Sequence, residues 1–219
     1  MTNKILITQR IGRNEYGDYF DYLETNYIKF IEKYKLQPIL LPNNTKNVTK
    51  FYNENNCSLI LLTGGDDIKE LSIQKNNNNL FKRDDNEKKL AKFALQRKIP
   101  IFCICRGFQI MNIVLGGKVS KNINNNNIRK HKVNLNKKYP NIVDNKTIIV
   151  NSYHNHGIRI SDIAKPLEVL GTTKDGKYVE IYKHKSKPVF GIQWHPERKN
   201  YSKKFDNYIF KRFINNKEL

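Results

Sequence analysis

Apolar positions along the chain follow two periods. Lys4–Thr8, Pro38–Leu41, Ser58–Thr63 and Ile101–Ile104 are short apolar runs with β-branched residues, the pattern of buried strands. Phe20, Leu23, Tyr27, Phe30, Ile31 and Tyr34 recur at i, i+3, i+4 and predict one face of a long helix. Glu87 to Arg97 reads as the helix that precedes the Ile101 strand, and Phe108, Met111, Val114 and Leu115 as one that follows it. This β-α-β-α-β order predicts an α/β fold: a doubly wound, mostly parallel sheet with helices on both faces.

The second half is less regular. Residues 120–146 carry little pattern and read as a loop-rich excursion, and the Asn76–Asn79 and Asn124–Asn127 runs read as polar loops. Strands are expected at Thr147–Asn151, Leu167–Gly171, Tyr178–Tyr182 and Val189–Gln193. A final helix, about Lys203–Phe213, would pack Phe205, Tyr208, Ile209 and Phe213 onto the domain.

Length and charge narrow the class. A chain of 219 residues suits one domain, residues 1–219, and shows neither repeat nor linker. It opens directly on a strand pattern, so no signal peptide is expected. No apolar stretch approaches the ~18 residues of a membrane span. Three cysteines do not make a disulfide framework, which points to a reducing cytoplasm. The net charge of +20 invites a nucleic-acid reading. Against it, the basic residues are spread over the whole chain among many Asn and Ile, and no nucleic-acid-binding motif accompanies them. A basic surface would still draw in a small anionic substrate.

Candidate chemistry centres on Pro-Ile-Phe-Cys-Ile-Cys-Arg-Gly-Phe-Gln, residues 100–109. The period switches from strand to helix at Cys105-Arg106-Gly107, the signature of a nucleophile elbow. Such a corner lifts the sulfur above the sheet, and the helix N-terminus favours thiolate. The plainer alternative is a buried cysteine that only packs. Farther on, His195 and Glu197 flank Pro196, and in extended chain they project to the same side. They would supply a base and its orienting carboxylate, unless they are merely neighbours on the surface.

Four ordered motifs carry a family likeness: Thr63-Gly64-Gly65-Asp66-Asp67, Cys105-Arg106-Gly107-Phe108-Gln109, Asn151-Ser152-Tyr153-His154 and Gln193-Trp194-His195-Pro196-Glu197. Together they resemble the class I glutamine amidotransferase-like superfamily, whose fold is flavodoxin-like. Arg83-Asp84 with Glu87, Met111-Asn112 with Gly116-Gly117, and Val150-Asn151-Ser152 with His154 resemble its γ-glutamyl-γ-aminobutyrate hydrolase branch, peptidase family C26. The resemblance implies that Cys105 attacks the γ-carbonyl of a γ-glutamyl amide to give a thioester. His195 would move the protons and Glu197 would orient it. Backbone N–H groups of Gly64, Gly65 and Arg106 would form the oxyanion hole, and Gln109, Ser152, Tyr153 and His154 would bind the glutamyl group. No cofactor and no metal is implied. The Cys103–Cys105 pair lacks partner ligands at metal spacing, and His131, which matches a histidine common in the family, reads as structural.

Two departures stand out. Cys103 occupies a position where the family elbow usually has Gly. Asn155-His156 stands where the family commonly has Gln, which bears on the substrate pocket rather than the triad; His156 reads as a pocket-wall or surface residue, or an extra base. The opening strand ending Ile-Thr-Gln-Arg and the Arg83–Lys89 segment resemble small γ-glutamyl hydrolases of capsule phosphoramidate synthesis, which act on a γ-glutamyl-CDP-amidate. Arg10, Arg13 and the lysines near Asn124–Asn127 would then meet a nucleotide-linked substrate. The alternatives are γ-glutamyl-γ-aminobutyrate hydrolysis, or a glutaminase subunit feeding ammonia to a synthetase partner. The chain would act on a small molecule, without nucleic acid or membrane, alone, with such a partner or as a homodimer.

Overall fold

In a computed structural model, residues 3–69, 71, 82–121, 129–143 and 145–215 are described. The two asparagine runs lie outside these residues. In chain order the elements are β1 Lys4–Thr8, β2 Arg10–Arg13, β3 Tyr19–Tyr22, α1 Thr25–Glu32, β4 Gln37–Leu41, α2 Val48–Glu54 and β5 Leu59–Leu62. Then come α3 Lys82–Arg97, β6 Ile101–Ile104, α4 Arg106–Val114, β7 Lys130–Leu135, β8 Thr147–Asn151 and β9 Ile158–Arg159. The chain closes with β10 Leu167–Thr173, β11 Tyr178–His184, β12 Val189–Ile192 and α5 Lys203–Ile214.

One sheet runs β4-β1-β5-β6-β12-β11-β10-β7-β8. The centre, β4 through β12, is parallel, and an antiparallel wing extends it from β12 outward. Alternation along each central strand divides the core into two layers. Ile5, Ile7, Leu61, Phe102 and Ile104 face α1 and α5. Leu6, Ile60, Leu62, Ile101 and Cys103 face α2, α3 and α4. This is the doubly wound α/β arrangement expected from the sequence, and it brings the loops after β5, β6 and β12 to one edge, where open α/β sheets hold their ligands.

Two expectations fail locally. Phe20 and Leu23 do not belong to the first helix. Residues 10–22 instead form the β2–β3 hairpin, closed at Gly17 (φ 91°) with the Asp18 N–H donated to Asn14 Oδ1 at 2.8 Å. Phe20 lies across the hairpin on Gly12, where a Cβ would come within 2.5 Å of its ring. Residues 120–146 are not wholly loop, since β7 pairs with both β8 and β10. Only Val133 and Leu135 of β7 are buried, too short an alternation to read from the sequence. Helix α2, capped by Asn47 Oδ1 accepting from Lys50 N–H at 2.9 Å, was also not foreseen.

Beneath the β6–α4 corner lies a buried network of charges. The fully buried Arg83 bonds Glu87 Oε1 and Asp66 Oδ2, each at 2.9 Å, and reaches Thr63 O and Gly64 O. Arg106 bonds Glu87 and Asp84. Burial pushes the Glu87 pKa up, but Arg106 and Arg83 outweigh it and hold the carboxyl below its ordinary range. Glu87→Gln would leave two buried guanidiniums short of a counter-charge. We expect it to cost about 3–5 kcal/mol, read as a lowered urea midpoint in equilibrium unfolding.

Candidate active site

Cys105 sits at the corner with φ 50° and ψ −98°, a conformation that favours glycine. It is held there from both sides. Its N–H donates to Ile192 O at 2.8 Å, and its carbonyl accepts from Gln109 N–H at 3.2 Å. Gly107 lets α4 close on β5, for a Cβ there would stand 2.4 Å from Leu62 O. Cys103, on the opposite side of the strand, is fully buried away from this corner, and burial pushes its thiol well up. Its bulk therefore sits under α4 and not in the site.

His195 and Glu197 follow β12. His195 Nδ1 lies 2.6 Å from Glu197 Oε1, and the imidazole hydrogen-bonds the Cys105 side chain. Burial alone would lower the imidazole pKa. The charges of Glu197 and Cys105 outweigh it and raise the pKa to about 10. Asn151 fixes the backbone here, accepting from His195 N–H at 2.9 Å and donating to His195 O at 2.7 Å. Gln193 Nε2 contacts Cys105 Sγ at 3.6 Å. Trp194 points the other way, donating to Asp206 of α5 at 2.8 Å.

These groups open into a cleft of about 450 Å³. Gly65, Arg106, Gln109, Tyr153 and His154 line it together with Cys105 and His195. Ser152 is buried outside this lining. The two glycines differ in use. Gly64 donates its N–H to Tyr27 Oη at 2.9 Å, and a Cβ on it would stand 2.6 Å from the His195 ring. Gly65 has φ 95° and borders the cleft. The Arg106 amide is the first of α4, one of those a helix leaves unpaired. Its side chain is committed to Asp84 and Glu87.

The Peptidase C26 family profile matches residues 6–197. The chain belongs to the Peptidase C26 family. A gamma-glutamyl-CDP-amidate hydrolase of Campylobacter jejuni is 36% identical over 141 residues, 64% of this chain and 62% of that protein, so the match spans under two thirds of its length. The glutamine-hydrolyzing chain of GMP synthase from Methanococcus vannielii is 30% identical over 166 residues, 75% of this chain and 77% of that one. A glutamine amidotransferase structure from Thermotoga maritima superposes with a TM-score of 0.63 at 16% identity, covering 97% of this chain and 83% of that one. The C26 chain is thus a glutamine amidotransferase-like hydrolase. No helix among its described residues is long and apolar enough to cross a membrane.

Several residues of this C26 site escaped sequence reading. Tyr27 sits at helical spacing among core residues and carries no sign of a polar task. Arg198 borders the cleft, bonded to Glu24 Oε2 at 2.7 Å and lying over the Tyr153 ring. Arg10 lines the cleft, paired with Asp66 at 2.9 Å, whereas Arg13 is held within the hairpin by Gly17 O. His156 lies in the cleft wall, 3.4 Å from Asp67.

Folding raises the proton affinity of His195, so its stabilisation is complete below the unfolded-state value of about 6.5 and is lost as pH rises through about 10. In an NMR titration of the ring we expect the midpoint near that upper value. Glu197→Gln should move it down, because burial then loses its main counterweight.

Proposed function

We propose that Cys105, His195 and Glu197 hydrolyse a γ-glutamyl amide through a γ-glutamyl thioester. The observation that carries this reading is the strained corner that sets the Cys105 sulfur against an imidazole itself braced by Glu197. An imidazole that holds its proton so firmly takes the thiol proton before substrate arrives, leaving a thiolate–imidazolium pair. The thiolate adds to the γ-carbonyl, and the amides of Gly65 and Arg106 stabilise the oxyanion, such donors being worth ~3 kcal/mol each. His195 then gives its proton to the departing nitrogen, which leaves glutamyl thioester on Cys105. Now neutral, the imidazole takes a proton from water as the water attacks the thioester, releasing glutamate and restoring the pair. Gln109, Tyr153 and His154 bind the glutamyl head group from the cleft wall.

The Campylobacter relative supports a γ-glutamyl-CDP-amidate as the substrate. Arg10 and Arg198 at the cleft suit a diphosphate, each oriented by a carboxylate that leaves other N–H groups to donate. The GMP synthase relative supports a second reading, a glutaminase subunit supplying ammonia to a synthetase.

Glutamate release from γ-glutamyl-CDP-amidate, γ-glutamyl-γ-aminobutyrate and glutamine separates these readings. We expect the nucleotide amidate to turn over fastest; equal or faster turnover of the uncharged-leaving-group amides rejects it. Glutaminase activity that rises only with a synthetase favours the second reading. Cys105→Ala should lose about 10⁴-fold or more in rate while its circular dichroism is unchanged, with His195→Ala nearly as damaging and Glu197→Gln milder. A Cys105→Ala enzyme that still releases glutamate leaves no thioester pathway.

A further inference from the structure

Buried polar atoms without a hydrogen-bond partner gather behind the cleft wall. Among the described residues, five of the eight such side-chain atoms belong to His131, His154 and Glu180. His131 is on β7, Glu180 on β11 and His154 in the segment after β8. Each offers one ligand atom, and the three atoms lie within 4.8 Å of one another.

The cluster is chemically lopsided. Glu180 is fully buried and neither of its oxygens makes a hydrogen bond. A carboxylate taken out of water this way calls for positive charge close by. His154 Nδ1 lies 3.0 Å from the carbonyl oxygen of His156, which can only accept, so Nδ1 carries the proton. The lone pair is therefore on Nε2, a buried atom that forms part of the cluster. A histidine whose outer nitrogen is tied to a carbonyl while the other is left bare is the arrangement of a metal ligand. His131 Nε2 stands 3.2 Å from Glu180 Oε1 without the geometry of a hydrogen bond. Ligand atoms of a tetrahedral zinc are separated by roughly 3.4 Å, given bond lengths near 2.1 Å.

We propose that His131, His154 and Glu180 bind one divalent transition-metal ion, zinc by their donor set. Two imidazoles and one carboxylate are too nitrogen-rich for calcium or magnesium, which take oxygen ligands. Three protein ligands leave the fourth position to water, and the partial exposure of His131 gives water a route to it. The ion would tie β7 and β11 to the segment carrying Tyr153 and His154, fixing the cleft wall from behind. It neutralises Glu180 and takes no part in bond breaking at Cys105.

The competing occupant is a proton on His131 paired with Glu180. To separate the two, the full chain is stripped with chelator, offered Zn²⁺ or Co²⁺, desalted, and measured by elemental mass spectrometry and visible absorption. One equivalent of metal per chain is expected, with the intense visible bands of four-coordinate Co²⁺. Glu180→Gln and His131→Asn should each weaken uptake by 100-fold or more, and either variant suffices if the other does not fold. Cys105→Ala should bind metal as the wild type does. The proposal is overturned if the wild type takes up no metal, if both folded variants retain it, or if Cys105→Ala alone removes it.

Discussion

The paired charges under the β6–α4 corner are the constraint on which the site depends. Three guanidiniums, Arg10, Arg83 and Arg106, meet three carboxylates, Asp66, Asp84 and Glu87, so the cluster is balanced. Its net contribution to stability is modest by the usual account, because desolvation offsets most of the attraction. What it contributes is position. Arg83 reaches Thr63 O and Gly64 O at the end of β5, while Arg106 anchors the first residue of α4 to α3. The Gly64-Gly65 turn and the first turn of α4 are thereby held at fixed separation, and the proposed oxyanion donors belong to those two pieces.

A residue with the backbone of Cys105 stores about 1–3 kcal/mol of strain, which persists only where the surroundings over-determine it. Here they do. The corner is tied to β12 through Ile192 O, to α4 through Gln109 N–H and to α3 through the neighbouring Arg106. Gly107 removes the one side chain that would prop α4 away from β5. The strain faces the cleft, and its restraints come from the core.

Legibility in the sequence followed hydropathy. The central strands and the corner were readable because their burial is apolar and periodic. Helix α3 was read only from Glu87, yet it starts at Lys82, since its first turns bury Arg83, Asp84 and Asn86. A helix face made of charges is invisible to a rule that counts apolar residues. The β2–β3 hairpin was mistaken for helix for a related reason: Phe20 and Leu23 matched the helical period although Phe20 is half exposed. The triad residues were legible because Cys105 sits at a change of period and His195 and Glu197 are two apart. His131, His154 and Glu180 come from separate strands and share no spacing, so only the folded sheet brings them together.

Tyr27 shows how a core position acquires a second task. Burial first, and then the charge of Glu197, push its phenol pKa well up, so the hydroxyl stays protonated. That oxygen already accepts the Gly64 N–H, leaving its single proton to donate, and the charged acceptor beside it is Glu197. The hydroxyl thus joins the glycine turn to the carboxylate that braces His195. It also settles which glycine amide is left for an oxyanion, since the Gly64 N–H is committed and the Gly65 amide borders the cleft. Gly64 is required for a separate reason: any side chain there would meet the His195 ring. One buried hydroxyl and one missing methyl therefore set the distance between the two halves of the site.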